Sequence, residues 1–195
     1  MPRNRHQRTR EEKHAEIVAI AQRLLVQNGY DGTTMAEIAR QAGIATNVVH
    51  WYFETKDELF VAALDALQAE SLAELRTRYV DEAMPGDEQR NLEALLTEFV
   101  CGRLAMHELI ATVHERARCS PVVAEYHDRT HRRYADHLGR AVARCRVPIA
   151  ERKLVLDTLI LALEGLVMHR ASRPKAKRTV NFLVSRLVAG DRKTT

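Results

Sequence analysis

Apolar positions along this chain recur three and four residues apart, and nowhere do they alternate one-for-one over several residues as a half-buried strand requires. The chain therefore reads as all-α, with about nine helices. Thr9 and Glu12 form a capping box, and Ile17, Ala21, Leu24 and Leu25 make one apolar stripe before Asn28-Gly29 closes a first helix over 9–28. Thr34 and Glu37 repeat the box; Ile38, Ala39 and Ala42 are the inner side of a short second helix that Gly43 ends. A third starts near Ala45, with Ala45, Val49, Tyr52 and Phe53 on one side and Thr46, Asn47, His50 and Trp51 on the other. Burying the first set exposes the second, including the single Trp of the chain.

A third box, Thr55 with Glu58, opens a helix expected over 56–82, with Leu59, Phe60, Ala63, Leu64, Leu67, Leu72 and Leu75 inward. At about 27 residues it would span roughly 40 Å. Pro85-Gly86-Asp87 is the clearest break in the chain. Helices follow over 88–106 and 107–118, then from Ser120-Pro121, read as N-cap and first turn, to about Cys145. The helix opened by Pro148 is apolar on most sides and must be buried all round, inside a bundle or against another subunit. A last amphipathic helix covers 174–188.

Two short helices broken at a glycine, the second with polar and aromatic groups facing out, form a helix-turn-helix, a layout that places a helix in the major groove of DNA. Composition fits a globular chain of 195 residues, 46% hydrophobic and 29% charged, without the ~20-residue apolar run of a membrane span. The N-terminus is basic and polar with no apolar core of a secretory signal, so a cytoplasmic location is expected. The net charge of +4 is modest, but Arg3, Arg5, Arg8 and Arg10 precede the first acidic residue, Glu11, as in an arm that meets a polyanion. Cys101, Cys119 and Cys145 are odd in number and far apart, against a disulfide framework or a zinc ribbon.

The runs Asn28-Gly29-Tyr30-Asp31-Gly32-Thr33-Thr34, Ile38-Ala39-Arg40-Gln41-Ala42-Gly43-Ile44 and Tyr52-Phe53-Glu54-Thr55-Lys56-Asp57-Glu58-Leu59 resemble the tetracycline-repressor-like (TetR) family of transcription regulators over residues 10–64. The acidic-Gly-Leu step at Leu163-Glu164-Gly165-Leu166 is similar to one in the penultimate helix of that family. The resemblance implies a homodimer whose third helices enter successive major grooves of a palindromic double-stranded operator. It implies that the last two helices form the dimer interface, and that a small molecule bound among the other helices tilts helix four and releases DNA. Most such proteins are repressors. The match departs at Ala45, where the family often has a capping Ser, so that Thr46 is expected to take the cap. It departs again at Asn47-Val48-Val49-His50, which replaces the family's small-Thr-Leu-Tyr run, so the operator cannot be borrowed from relatives.

The organisation expected is a basic flexible arm over 1–8, a three-helix DNA-binding head over 9–55, a larger effector-binding and dimerisation domain over 56–190, and a tail over 191–195. For DNA, residue placement and family pattern agree on Thr46, Asn47, His50, Trp51, Tyr52 and Lys56. Asn47 suits a bidentate pair with adenine, Lys56 a phosphate, and Thr34 a cap that also meets phosphate. For an effector, His127 and Tyr134 share the inner face of the Pro121 helix with Val123, Thr130, Leu138 and Ala141, while Phe99 and Arg103 continue an inner stripe toward His107. Glu164 sits in an apolar run and needs a partner: a structural ion pair, a dimer contact or a cationic ligand. His127 and His131 have the spacing of a helical metal pair, but Arg129, Arg132 and Arg133 oppose a cation, and neither a metal nor a cofactor is expected. A metal- or redox-sensing regulator using His127 and His131 or the cysteines is the alternative reading. No phosphate loop, nucleophile elbow or His-Glu-x-x-His run points to an enzyme.

Overall fold

A computed structural model describes residues 5–81 and 86–188, those at 5–9, 70–73, 76, 80 and 81 by backbone alone. The expectations for Arg3, Pro85 and the tail 191–195 lie outside the described residues, as do those for the side chains of Arg5, Arg8 and Leu72. Among the described residues there are nine α-helices: α1 (Arg5–Asn28), α2 (Met35–Gln41), α3 (Thr46–Tyr52), α4 (Lys56–Arg76), α5 (Glu88–Ala105), α6 (His107–Arg116), α7 (Pro121–Arg144), α8 (Arg152–Met168) and α9 (Arg173–Leu187). No strand occurs among them, and no helix is long and apolar enough to cross a membrane.

Two boundaries differ from expectation. Helix α1 is already helical at Arg5, so Thr9 lies inside it rather than at its start. Helix α4 ends at Arg76 after 21 residues, and a π-helical turn, Thr77–Asp81, takes over where a continuous helix was expected. Ile149–Glu151 forms a 3-10 turn between Pro148 and α8.

The helices cluster in two compact units, one made of residues up to Glu70 with Ala111–His127, the other of Ser71–Ile110 with residues from Asp128 on. In the first unit α1, α2, α3 and the start of α4 pack around Ile17, Ala21, Leu24, Ile38, Ala39, Val49, Leu59 and Phe60, all 4% exposed or less. Each such side chain moved out of water contributes roughly 1 to 3 kcal/mol, which outweighs the weak propensity of two seven-residue helices. In the second unit Leu92, Leu96 and Val100 of α5 meet Val155, Leu159 and Leu163 of α8 and Val180 and Val184 of α9 in one core.

Helix α8 is not buried all round within the chain. Leu159, Leu163 and Val167 are covered, but Leu154 and Leu161 are each 70% exposed and Met168 is exposed too. These three follow one another at seven-residue intervals and lie along one stripe. Phe182 of α9, 58% exposed, is another large apolar side chain left open in this unit.

Candidate nucleic-acid interface and effector cavity

Three local devices orient α3. Thr34, in extended backbone, accepts the Glu37 amide at 3.1 Å and starts α2. The Glu37 carboxylate does not reach back to complete the box; it takes Arg40 at 2.7 and 2.8 Å and Gln41 at 2.9 Å. Gly43 then adopts φ +64°, a left-handed conformation an L side chain resists, and the Ile44 amide folds back onto the Ala39 carbonyl at 3.1 Å. The third is the box at the far end: the Glu58 amide donates to Thr55 Oγ1 at 3.1 Å while the Glu58 carboxylate accepts from the amides of Glu54 and Thr55.

Between them α3 buries Val49 completely and turns Thr46, Asn47, His50 and Trp51 outward, Trp51 at 62% exposure. Ala45 was expected on the buried side; it is exposed, in extended backbone, and is itself the N-cap, with no side-chain hydrogen bond at that end. Thr46 is therefore the first helical residue rather than the cap, and its hydroxyl stays available. Tyr52 is half-buried, its ring edge-on to Trp51 at 4.8 Å, and Phe53 is buried with His14 tilted against it at 4.9 Å. The guanidinium of Arg10 lies over the Trp51 ring, 4.5 Å from its centroid, a cation–π contact the sequence pattern did not reveal. Thr34 is exposed.

Lys56, like Tyr52, is half-buried. Its ammonium sits 4.0 Å from the centroid of the Tyr30 ring, and burial pushes its pKa down. The ring belongs to a compact charge cluster. The Tyr30 hydroxyl donates to Asp57 Oδ1 at 2.6 Å, and Arg116 of α6 grips both carboxylate oxygens. The Ser120 hydroxyl also donates to Asp57, so this residue, expected only as a helix cap, serves the cluster. The Arg116 guanidinium holds the Asp57 carboxyl down to about 2, while burial and the Asp57 hydrogen bond push the Tyr30 phenol well above its ordinary value. No sequence motif pairs Asp57 with Arg116, because their separation of 59 positions has no periodic signature.

Of the six effector candidates, Phe99, Arg103, Tyr134 and Glu164 converge in the second unit, where they line one cavity with His131, Leu138, Ile160 and Leu163. Phe99 and Tyr134 meet edge-to-face at 4.9 Å, and the Arg103 guanidinium lies 4.8 Å from the Tyr134 ring and 5.5 Å from Phe99. Glu164 Oε1 is 3.0 Å from His131 Nδ1, the ion-pair reading of this acid. His107 and His127 do not line the cavity. His107 Nδ1 donates to the Leu104 carbonyl at 3.3 Å, and His127, in the first unit, meets His114 at 3.3 Å with the rings edge-on. His127 and His131 lie one turn apart on α7. The cysteines are free: Cys119 exposed, Cys101 half-buried and Cys145 buried, its thiol pushed up by burial.

Residues 17–63 match the bacterial regulatory proteins of the tetR family. The chain is 31% identical over 108 residues to the HTH-type transcriptional regulator AcrR of Shigella flexneri, a stretch covering 55% of this chain and 45% of that one. The chain thus matches about half the length of this relative. Among solved structures, BioQ with its double-stranded DNA operator superposes with a TM-score of 0.61 at 23% identity, over 90% of this chain and 98% of that one. FadR from Bacillus subtilis in complex with stearoyl-CoA gives a TM-score of 0.66 at 16% identity, over 90% and 98%. At such identities the likeness is one of fold, and it extends well beyond the helix-turn-helix. The metal- or redox-sensing alternative finds no support in these comparisons.

Proposed function

Since the chain belongs to the TetR family of transcription regulators, we propose that it is a non-enzymatic, ligand-responsive regulator that binds a palindromic operator as a homodimer and is released by a small molecule. The observation that carries this reading is the outward face of α3, where Thr46, Asn47, His50 and Trp51 are exposed on a helix anchored through a fully buried Val49. Such a helix offers an amide for an adenine edge, an imidazole for a guanine or phosphate, and an indole for thymine methyl and sugar. Thr34 and the Tyr52 hydroxyl flank it as phosphate contacts. Lys56 joins them, because the N–H donors that point away from the Tyr30 ring can meet a phosphate.

A dimer is supported by the stripe of Leu154, Leu161 and Met168 on α8 together with Phe182 on α9. Large apolar side chains left open along a seven-residue repeat are the surface a second copy covers. The effector reading is supported by the convergence of Phe99, Arg103, Tyr134 and Glu164 on one cavity. Selection of binding sites from random double-stranded DNA by the purified protein tests the whole. A palindrome with half-sites one helical turn or so apart is expected; recovery of no symmetric site at moderate salt would remove the reading.

A further inference from the structure

The cavity of the second unit carries more than its location. It contains one acid and one committed cation on different footings. Glu164 is already met by His131 at 3.0 Å, so its charge is answered from within the protein. Arg103 is held by aromatic faces, over Tyr134 and Phe99, and by a hydrogen bond with the Tyr134 hydroxyl. No carboxylate pairs with it among the described residues. A guanidinium on ring faces keeps most of its N–H fork unanswered, and the natural complement of that fork is a planar carboxylate taken by two parallel hydrogen bonds. Burial raises the Tyr134 phenol, and the charges of Arg103 and Arg133 oppose that rise, which marks the local field as positive. The rest of the lining is aliphatic, from Leu138, Ile160 and Leu163.

We infer that the effector is a small organic acid with an apolar body, its carboxylate paired with Arg103 and its body laid against Phe99, Tyr134 and the aliphatic wall. The inference deepens the effector part of the proposed function and rests on it. The cavity holds only about 10 Å³, room for about one water. Binding therefore requires Arg103 to leave the two rings and turn its fork to the incoming carboxylate, which frees the ring faces for the apolar body. This choice runs opposite to a cationic ligand on Glu164, which would have to displace His131 and place a positive charge beside Arg103.

The test uses the full-length protein and matched probes: octanoate and 4-phenylbutyrate, their neutral amides, and octylamine. Calorimetric titration should show each acid binding roughly tenfold or more tightly than its amide. Arg103→Gln should abolish that preference, Arg103→Lys should retain part of it, and Glu164→Gln, which removes a like charge from the wall that faces the incoming carboxylate, should tighten acid binding. Melting curves of the variants establish that each is folded. The inference is overturned if octylamine binds best and Glu164→Gln loses it, if Arg103→Gln leaves the acid preference intact, or if neither acid binds at millimolar concentration. Release of selected operator DNA is measured in parallel. Release by neutral or cationic compounds but not by acids would sink the acid inference while the regulator reading stands.

Discussion

Asp57 and Arg116 stand 59 positions apart in the chain and meet in a two-pronged ion pair, Nε to Oδ1 at 2.6 Å and a terminal guanidinium nitrogen to Oδ2 at 2.7 Å. Both belong to the first unit. Asp57 is the second residue of α4, immediately after α3 and its turn, and Arg116 is the last of α6. The pair thus ties α6 to the helix that follows the proposed DNA face of α3.

Removing the cation leaves a mostly buried carboxylate with only Tyr30 and Ser120 to answer it. Arg116→Ala should therefore destabilise the protein by about 2 to 4 kcal/mol. Arg116→Lys should recover only part, because an ammonium cannot grip both oxygens and lie over the Tyr30 ring at 4.5 Å. Urea unfolding of the three proteins decides it; equal midpoints for wild type and Arg116→Ala would show that the pair contributes nothing net.

The same pair has a pH signature. Asp57 titrates at about 2 when folded, below the ordinary value of about 3.9 for an unfolded aspartate. The folded state binds that proton less readily, so the stabilisation is complete above the unfolded pKa and disappears as pH falls from about 4 to about 2. Wild type should be more stable than Asp57→Asn at neutral pH by on the order of 2 kcal/mol, and the gap should close over that acid interval. A gap that stays constant down to pH ~2 would mean the carboxylate charge is not what Asp57 supplies.

Gly43 offers a separate test of how α3 is aimed. A methyl group added there meets nothing within 4 Å, so Gly43→Ala is opposed only by its backbone angle of +64°. The expected cost is about 1 kcal/mol, with no cavity or clash to relax. A loss several times larger in thermal unfolding would mean that the turn does more than reverse the chain.

On DNA, Asn47→Ala should relax preference at one base position, at about 1 to 3 kcal/mol of discrimination. Lys56→Ala should weaken binding on every sequence and lower the salt slope by about one. Fluorescence anisotropy on the selected site and its single-base variants, at several salt concentrations, separates the two. If Asn47→Ala loses affinity equally on all variants, it is not a reader.

Leu161 probes the proposed subunit contact. It is 70% exposed in the single chain, so Leu161→Glu should be nearly neutral for folding of one subunit. Light scattering should nonetheless show a shift from dimer toward monomer, with operator affinity falling as half-site pairing is lost. An unchanged mass would place any assembly on another face.

The head was the most readable part of the chain because its signals are local. A cap and its partner lie three residues apart, as Thr55 and Glu58 do, and a glycine marks a left-handed stop. Those devices settle which side of α3 faces out, with Ala45 the one residue misplaced, since a cap position has extended backbone and escapes helical periodicity. The inner stripe of α7 was legible at Val123, Thr130, Tyr134, Leu138 and Ala141, all buried, but His127 is only half-buried and Tyr126, which the stripe left out, is buried. What stayed hidden joins distant positions. Asp57 with Arg116, Arg10 with Trp51, and His131 with Glu164 are contacts whose partners lie on separate elements, and no spacing rule announces them. The burial of α8 illustrates the same limit: hydrophobicity on most sides asked for cover inside a bundle or against another subunit, without saying that Leu154 and Leu161 would be left uncovered by their own chain.

Trp51 is the only tryptophan among 195 residues, and it lies open on α3 with a guanidinium resting on its ring. Light of a wavelength absorbed by indole but not by the five tyrosines therefore excites one spot on the molecule, and that spot is the proposed DNA face. On the proposed function the protein carries its own optical reporter: its emission should follow occupancy of the helix by DNA with no dye attached, and should stay indifferent to events at the effector cavity unless they reach the head.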